Sequence, residues 1–201
     1  MRTAAALSAL ALLLLVAGLA TAVPRTGGVD DPQDSRPPFE GTEFADASRV
    51  TVSYEPEDGS LIATLTLVAP LGTTASPGAS TFADLTFGAG ATGPGGVCVV
   101  PDPAGEGRAG DLRVAATIDS NGPPGAITDL VRTTVQVAGG PQLVGASGAI
   151  SADRRVITWT VAPDPALAGR DLDCVGDVAM SYSFSDSDAI AGFPLTTPPD
   201  R

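Results

Sequence analysis

The stretch GRDLDCVGD, residues 169–177, concentrates groups that could do chemistry: Asp171, Asp173 and Asp177 surround Cys174, and Gly176 precedes the last acid. Carboxylate oxygens are the hard ligands that calcium takes, and an EF-hand loop places them at positions 1, 3, 5, 7, 9 and 12 around a glycine at 6. Asp171, Asp173, Gly176 and Asp177 fall at positions 1, 3, 6 and 7 of that register. Val175 stands at position 5 and Tyr182 at position 12, where an oxygen ligand and a bidentate glutamate are needed. The flanks also alternate like strands rather than turning like helices. The motif is therefore no EF-hand, and the metal reading left is a looser calcium site of carboxylates and carbonyls, with Asp171, Asp173 and Asp177 as ligands. Other acids cluster at Glu55, Glu57 and Asp58, at Asp119, Asn121 and Asp129, and at Asp186 and Asp188. Calcium is the one cofactor such groups could hold, and otherwise none is expected.

Cys98 and Cys174 are the only two cysteines. In an exported chain an isolated pair is expected to form one disulfide. A loop of this length would gain on the order of 4 kcal/mol from closure on the chain-entropy model. A nucleophilic thiol is disfavoured, because neither histidine nor lysine is present to lower its pKa.

The same absences prune the enzyme classes. Without histidine there is no Ser-His-Asp or Cys-His centre and no His-ligated metal. Without lysine there is no Schiff base, no Ser-Lys dyad and no phosphate loop of the GxxxxGK type. Two cysteines cannot build a Cys-rich zinc site. A carboxylate-dependent hydrolase is the remaining enzymatic alternative. The aromatics are few for lining a sugar cleft, and IDSNG at 118–122 lacks the Asp-Thr/Ser-Gly motif of aspartic proteases. The expectation is a chain with no catalytic residue.

Export is read from the first residues. Arg2, an apolar run over 7–19 and Ala20-Thr21-Ala22 form the three parts of a secretory signal peptide. Residues 1–22 are thus expected to be removed, and an uncleaved anchor is the alternative because the apolar run approaches a bilayer span. Cleavage removes Arg2 and leaves ten arginines against 23 acids. A chain this acidic is repelled by nucleic acid and by anionic membrane, so neither is expected as a partner. Richness in Ala, Gly, Pro and Arg without Lys suggests a bacterial genome of high G+C content.

Residues 23–45 mix Pro, Gly, Asp and Ser without apolar periodicity and read as a disordered linker. Residues 189–201 read as a C-terminal tail of similar kind. Between them, 46–188 form one domain of ordinary size. There Val50, Val52 and Tyr54 alternate with Thr51 and Ser53, and Leu61, Ala63, Leu65 and Leu67 alternate with Ile62, Thr64 and Thr66. Period-two runs of this kind are half-buried strands. Further strands are expected at 82–87, 97–100, 112–118, 130–137, 149–151, 156–161 and 178–184. Residues 152–155 read as a hairpin turn, and PALAG at 165–169 as one helical turn. Eight or nine short strands with Gly- and Pro-rich turns define an antiparallel, all-β sandwich. Trp159 shares a face with Ile157 and Val161 and is expected in its core; as a sugar platform it would have to point outward.

DASRVTVSYEPEDGSLIATLTL, with the later SADRRVITWTV, resembles secreted bacterial β-sandwich modules of the immunoglobulin-like or carbohydrate-binding type. The resemblance covers two strand pairs, about a quarter of the chain, and implies the fold. It carries no functional residue. The order Cys98, Trp159, Cys174 departs from true immunoglobulin spacing, in which the tryptophan follows the first cysteine closely. The chain is thus read as a secreted, monomeric, non-catalytic module that binds an extracellular protein or glycan. The alternative is a calcium- or carbohydrate-binding module.

Overall fold

The computed structural model describes residues 23–31, 46–71, 80–100, 112–121, 128–138, 145–182 and 186–198. The expected signal peptide at 1–22, residues 32–45 of the expected linker and the end of the tail at 199–201 lie outside them. The first five-stranded sheet runs in the order β1 (Arg25–Asp30), β2 (Ala47–Tyr54), β3 (Leu61–Leu67), β10 (Val156–Val161), β9 (Ala146–Ile150). The second runs β12 (Asp186–Pro194), β11 (Cys174–Tyr182), β4 (Ser80–Gly88), β7 (Leu112–Asn121), β8 (Thr128–Val137). A short hairpin of β5 (Ala91–Thr92) and β6 (Cys98–Val99) completes the described strands, and every pairing is antiparallel. The expected all-β sandwich is the observed fold, and the expected turn at 152–155 joins β9 to β10.

Period-two alternation sets which residues meet between the sheets. Val50, Val52 and Tyr54 of β2, the odd-numbered positions of β3, and Ile157, Trp159 and Val161 of β10 are buried from one side. Ala83, Leu85 and Phe87 of β4, Leu112, Val114 and Ala116 of β7, and Val178 and Met180 of β11 close from the other, in one continuous cluster. Trp159 is 0% exposed, with Ala63 and Gly148 as its cross-strand neighbours. Two small side chains beside it leave room for the indole, so large and small positions interlock as dense packing demands. Trp159 is a core residue and no sugar platform.

Two boundaries differ from the sequence reading. Residues 25–30, assigned to a disordered linker, pair residue for residue with β2 from Arg25 opposite Tyr54 to Asp30 opposite Arg49. Residues 189–194, assigned to the tail, belong to β12. The physical reason is shared. RTGGVD buries none of its side chains fully, and the C-terminal strand alternates mostly small residues, so main-chain hydrogen bonds hold both with little hydropathic signal. The two strands also meet: Thr26 and Thr196 exchange N–H···O=C bonds of 2.8 and 2.9 Å, which joins the two sheets along one edge.

The outer side of β11 and β12 is cut flat by glycine. Gly176 sits in a bulge of β11, where Val175 faces Phe87 and Val178 faces Leu85 of β4. A Cβ on Gly176 would lie 2.8 Å from Val100, and one on Gly192 would lie 2.3 Å from the carbonyl oxygens of both Cys98 and Gly176. These glycines let β6 lie directly on main chain. Gly192→Ala drives a methyl group into three carbonyl oxygens, and overpacking of this severity costs about 3 kcal/mol. The expected fall in melting temperature is roughly 6–12 °C by calorimetry; an unchanged value would show that β6 does not rest on this strand.

Candidate functional site

The residues of 169–177 are placed by three anchors. The loop ahead of them begins with Asp164, whose side chain accepts the Ala166 N–H at 2.8 Å while its carbonyl accepts the Leu167 and Ala168 N–H groups. This is the expected turn at 165–169, closed by Gly169 at a φ of 74°. Leu167 and Leu172 are buried, which folds the loop back onto the core. Over it stands Tyr54, whose hydroxyl donates to the Leu167 carbonyl at 2.7 Å and lies 3.1 Å from the Arg170 carbonyl. Burial raises the phenol pKa above its ordinary value, with the charges of Arg25 and Arg170 opposing it. A neutral hydroxyl donor is what this clamp needs.

The acids of the motif are then engaged one by one. Asp171 pairs with Arg25 of β1 at 2.7 Å, across 146 residues of sequence. Asp173 accepts the Gly90 N–H at 3.0 Å through its side chain and the Leu195 N–H at 2.7 Å through its carbonyl. Asp177 lies in β11, and its side chain is outside the described residues. The described members of the expected calcium set therefore tie β1, the approach to β5 and the end of β12 to this loop. Cys174 forms the expected disulfide with Cys98, with their Cα atoms 5.7 Å apart. Both cysteines are buried. Gly176 belongs to the bulge of β11.

The other acidic clusters divide in the same way. Asp58 accepts the Ser60 N–H at 2.8 Å, and that bond, followed by one from the Ser60 hydroxyl, lowers its carboxyl pKa. It is a turn residue between β2 and β3, beside Gly59 at a φ of 77°. The side chains of Asp119, Asn121, Asp129 and Asp186 lie outside the described residues.

Three carboxylates do converge, one of them Asp188 of the pair marked in the sequence at 186 and 188. Asp31 follows β1, Asp46 precedes β2 and Asp188 sits in β12, and each contributes an oxygen within 4.8 Å of the others. Asp46 is 2% exposed and Asp188 5%, with Asp31 half-buried. The Ala47 N–H donates to Asp188 Oδ2 at 2.8 Å, and the Asp31 N–H donates to the Ser48 carbonyl at 2.9 Å. Carboxylates packed this closely repel when ionised, and the group is neutralised by a proton, an opposite charge or a bound cation. Oxygen donors from three segments are also the type of set that calcium accepts. Sequence reading missed the trio because its members are dispersed along the chain and two lie on the domain boundaries it drew. One signal was present: Asp188 alternates in phase with Ile190, which puts an acid on the inward face of a strand.

A cleft of about 180 Å³ opens on the outer side of the second sheet, lined by Thr86, the 97–100 segment, Gly176, Ala191 and Gly192. It offers methyl groups, main chain and one hydroxyl, and its size suits a single side chain rather than a sugar or a cofactor. Among the described residues no helix is long and apolar enough to cross a membrane. No family model, curated protein or solved structure matches the chain. Tyr54→Phe keeps the ring and removes the hydroxyl from two loop carbonyls; the expected loss in a urea unfolding curve is about 1–2 kcal/mol. A loss near zero would mean that the 162–173 loop is held without it.

Proposed function

We propose that this protein is an exported, non-catalytic β-sandwich module that acts by binding outside the cytoplasm. The observation that carries this reading is the closed Cys98–Cys174 disulfide in a chain with no other cysteine, behind a signal-type leader. Such a staple persists where the compartment is oxidising. Export is tested by mass and N-terminal sequence. The protein recovered from culture medium should begin at Val23 and weigh two hydrogens less than its reduced form. A product that retains Met1 with two alkylatable thiols would overturn the reading.

Calcium is the ligand that a specific observation favours, and it favours Asp31, Asp46 and Asp188 rather than the 169–177 motif. A cation there would bridge two buried carboxylates and one half-buried one, and it would tie the end of β1 and the start of β2 to β12. If calcium binds the folded state alone, 100 times its dissociation constant adds about 2.7 kcal/mol. The melting temperature should then rise by roughly 5–10 °C at millimolar calcium, fall back with chelator, and lose this response in Asp46→Asn. A melting curve indifferent to calcium would remove the reading and leave the trio neutralised from within the protein.

A further inference from the structure

The N-terminal strand β1 is attached in an unusual way. None of the six side chains of Arg25–Asp30 is fully buried, and of them Val29 alone packs, partly exposed, against the core. It is held by its ladder to β2, by the Thr26–Thr196 pair, and by an ion pair near each end: Arg25 with Asp171, and Asp30 with Arg49. An edge strand fixed by main-chain hydrogen bonds and surface ion pairs belongs to the low-stability end of a fold.

The slot that β1 occupies is selective. A Cβ on Gly27 would lie 2.3 Å from the Pro194 carbonyl oxygen, and one on Gly28 would lie 2.8 Å from the Val50 carbonyl oxygen. The slot thus takes a strand with glycine at both central positions, a cation toward its start and an anion at its end. The segment RTGGVD supplies all four, and a second copy of this chain supplies the same four. The covalent link to β2 is also longer in sequence than a hairpin turn needs. The Asp31 N–H is bonded to the Ser48 carbonyl at 2.9 Å, so a few residues would close this hairpin. The chain between Asp31 and Asp46 comprises residues 32–45. A segment of that length can extend to about 45 Å.

From this geometry we propose that Arg25–Asp30 is an exchangeable strand: β1 leaves its slot while the sandwich stays folded, and the slot takes β1 of a second copy. The exchanged dimer repeats every contact of the monomer. Its population is therefore set by competition with the tethered strand, and it grows as protein concentration approaches the millimolar range typical of such tethers. In that dimer Asp31 of each copy would complete the acidic trio of the other.

The test uses two full-length variants, Thr26→Cys and Ser53→Cys, because Thr26 and Ser53 face each other across the β1–β2 pair. Mixed at about 1 mM and then diluted and oxidised, they should give a disulfide-linked heterodimer. Its yield should rise with mixing concentration and drop at least tenfold when Gly27→Val is added to the Thr26→Cys chain. A mixture that stays monomeric, while Thr26→Cys and Ser53→Cys placed in one chain cross-link internally, overturns the proposal. A heterodimer indifferent to Gly27→Val overturns it too, because exchange would not be using this slot. Hydrogen exchange on the unaltered protein gives an independent measurement. Amides of Arg25–Asp30 should exchange at least tenfold faster than those of Leu61–Leu67, and equal rates would show that β1 opens only with the whole fold.

Discussion

Burial of one apolar face from each sheet is the interaction on which the other features of this protein depend. The chain is poor in aromatics, so the core is built from aliphatic side chains around Trp159, Tyr54 and Phe87. The bulkiest of these, Trp159, fits because Ala63 and Gly148 flank it in the sheet. Fully burying a large apolar side chain contributes about 1.5–3 kcal/mol. A face assembled in this way fixes strand register, since a one-residue slip would turn the whole set toward water. Everything attached to the outside of the sandwich inherits its position from that register.

The disulfide shows how the inheritance works. Cys98 reaches Cys174 only if β6 lies against the outer side of β11 and β12, and that approach requires Gly176 and Gly192 beneath it. The bulge in β11 turns Gly176 into position, and Asp173 holds the chain entering β5 through the Gly90 N–H. A Cβ at Gly90 would lie 2.1 Å from the Cys174 sulfur, so that position too must remain glycine for the staple to close. One covalent bond therefore depends on three glycines and an aspartate, whose spacing along the chain gives no hint of the relationship. What looks in sequence like a metal-binding loop is the convergence point of β1, the β5–β6 hairpin and the C-terminal strand.

The legible part of the fold was the part that hydropathy records. Strands β2, β3 and β10 and the 178–181 part of β11 alternate buried residues with more exposed ones, so their inward faces could be read directly, Trp159 included. Strands β1 and β12 were missed because glycine, alanine and aspartate carry main-chain pairing without an apolar signature. The same gap hid the acidic trio, of which Asp31 follows β1 and Asp188 lies in β12, while Asp46 precedes β2. Asp171 and Asp173 drew attention because they stand close in sequence. Yet closeness along an extended chain separates side chains, whereas Asp31, Asp46 and Asp188 meet because three different segments converge. Carboxylate spacing is a guide to ligand sets within one loop and is silent about sets assembled by topology.

That topology puts opposing forces at one seam. Main-chain bonds between Thr26 and Thr196 draw the two sheets together at their shared edge, and the Ala47 N–H anchors Asp188 from across the same gap. A hydrogen bond to a charged acceptor contributes about 1.5–3 kcal/mol, enough to hold one buried carboxylate in place. Mutual repulsion among three acids within 4.8 Å acts the other way and grows as more of them ionise. Asp31 is the residue through which this balance reaches the N-terminal strand, because it follows Asp30 directly and its own N–H is bonded to β2. Asp31 thus stands at the junction of β1 and the trio, and a displacement of β1 would carry one of the three carboxylates with it.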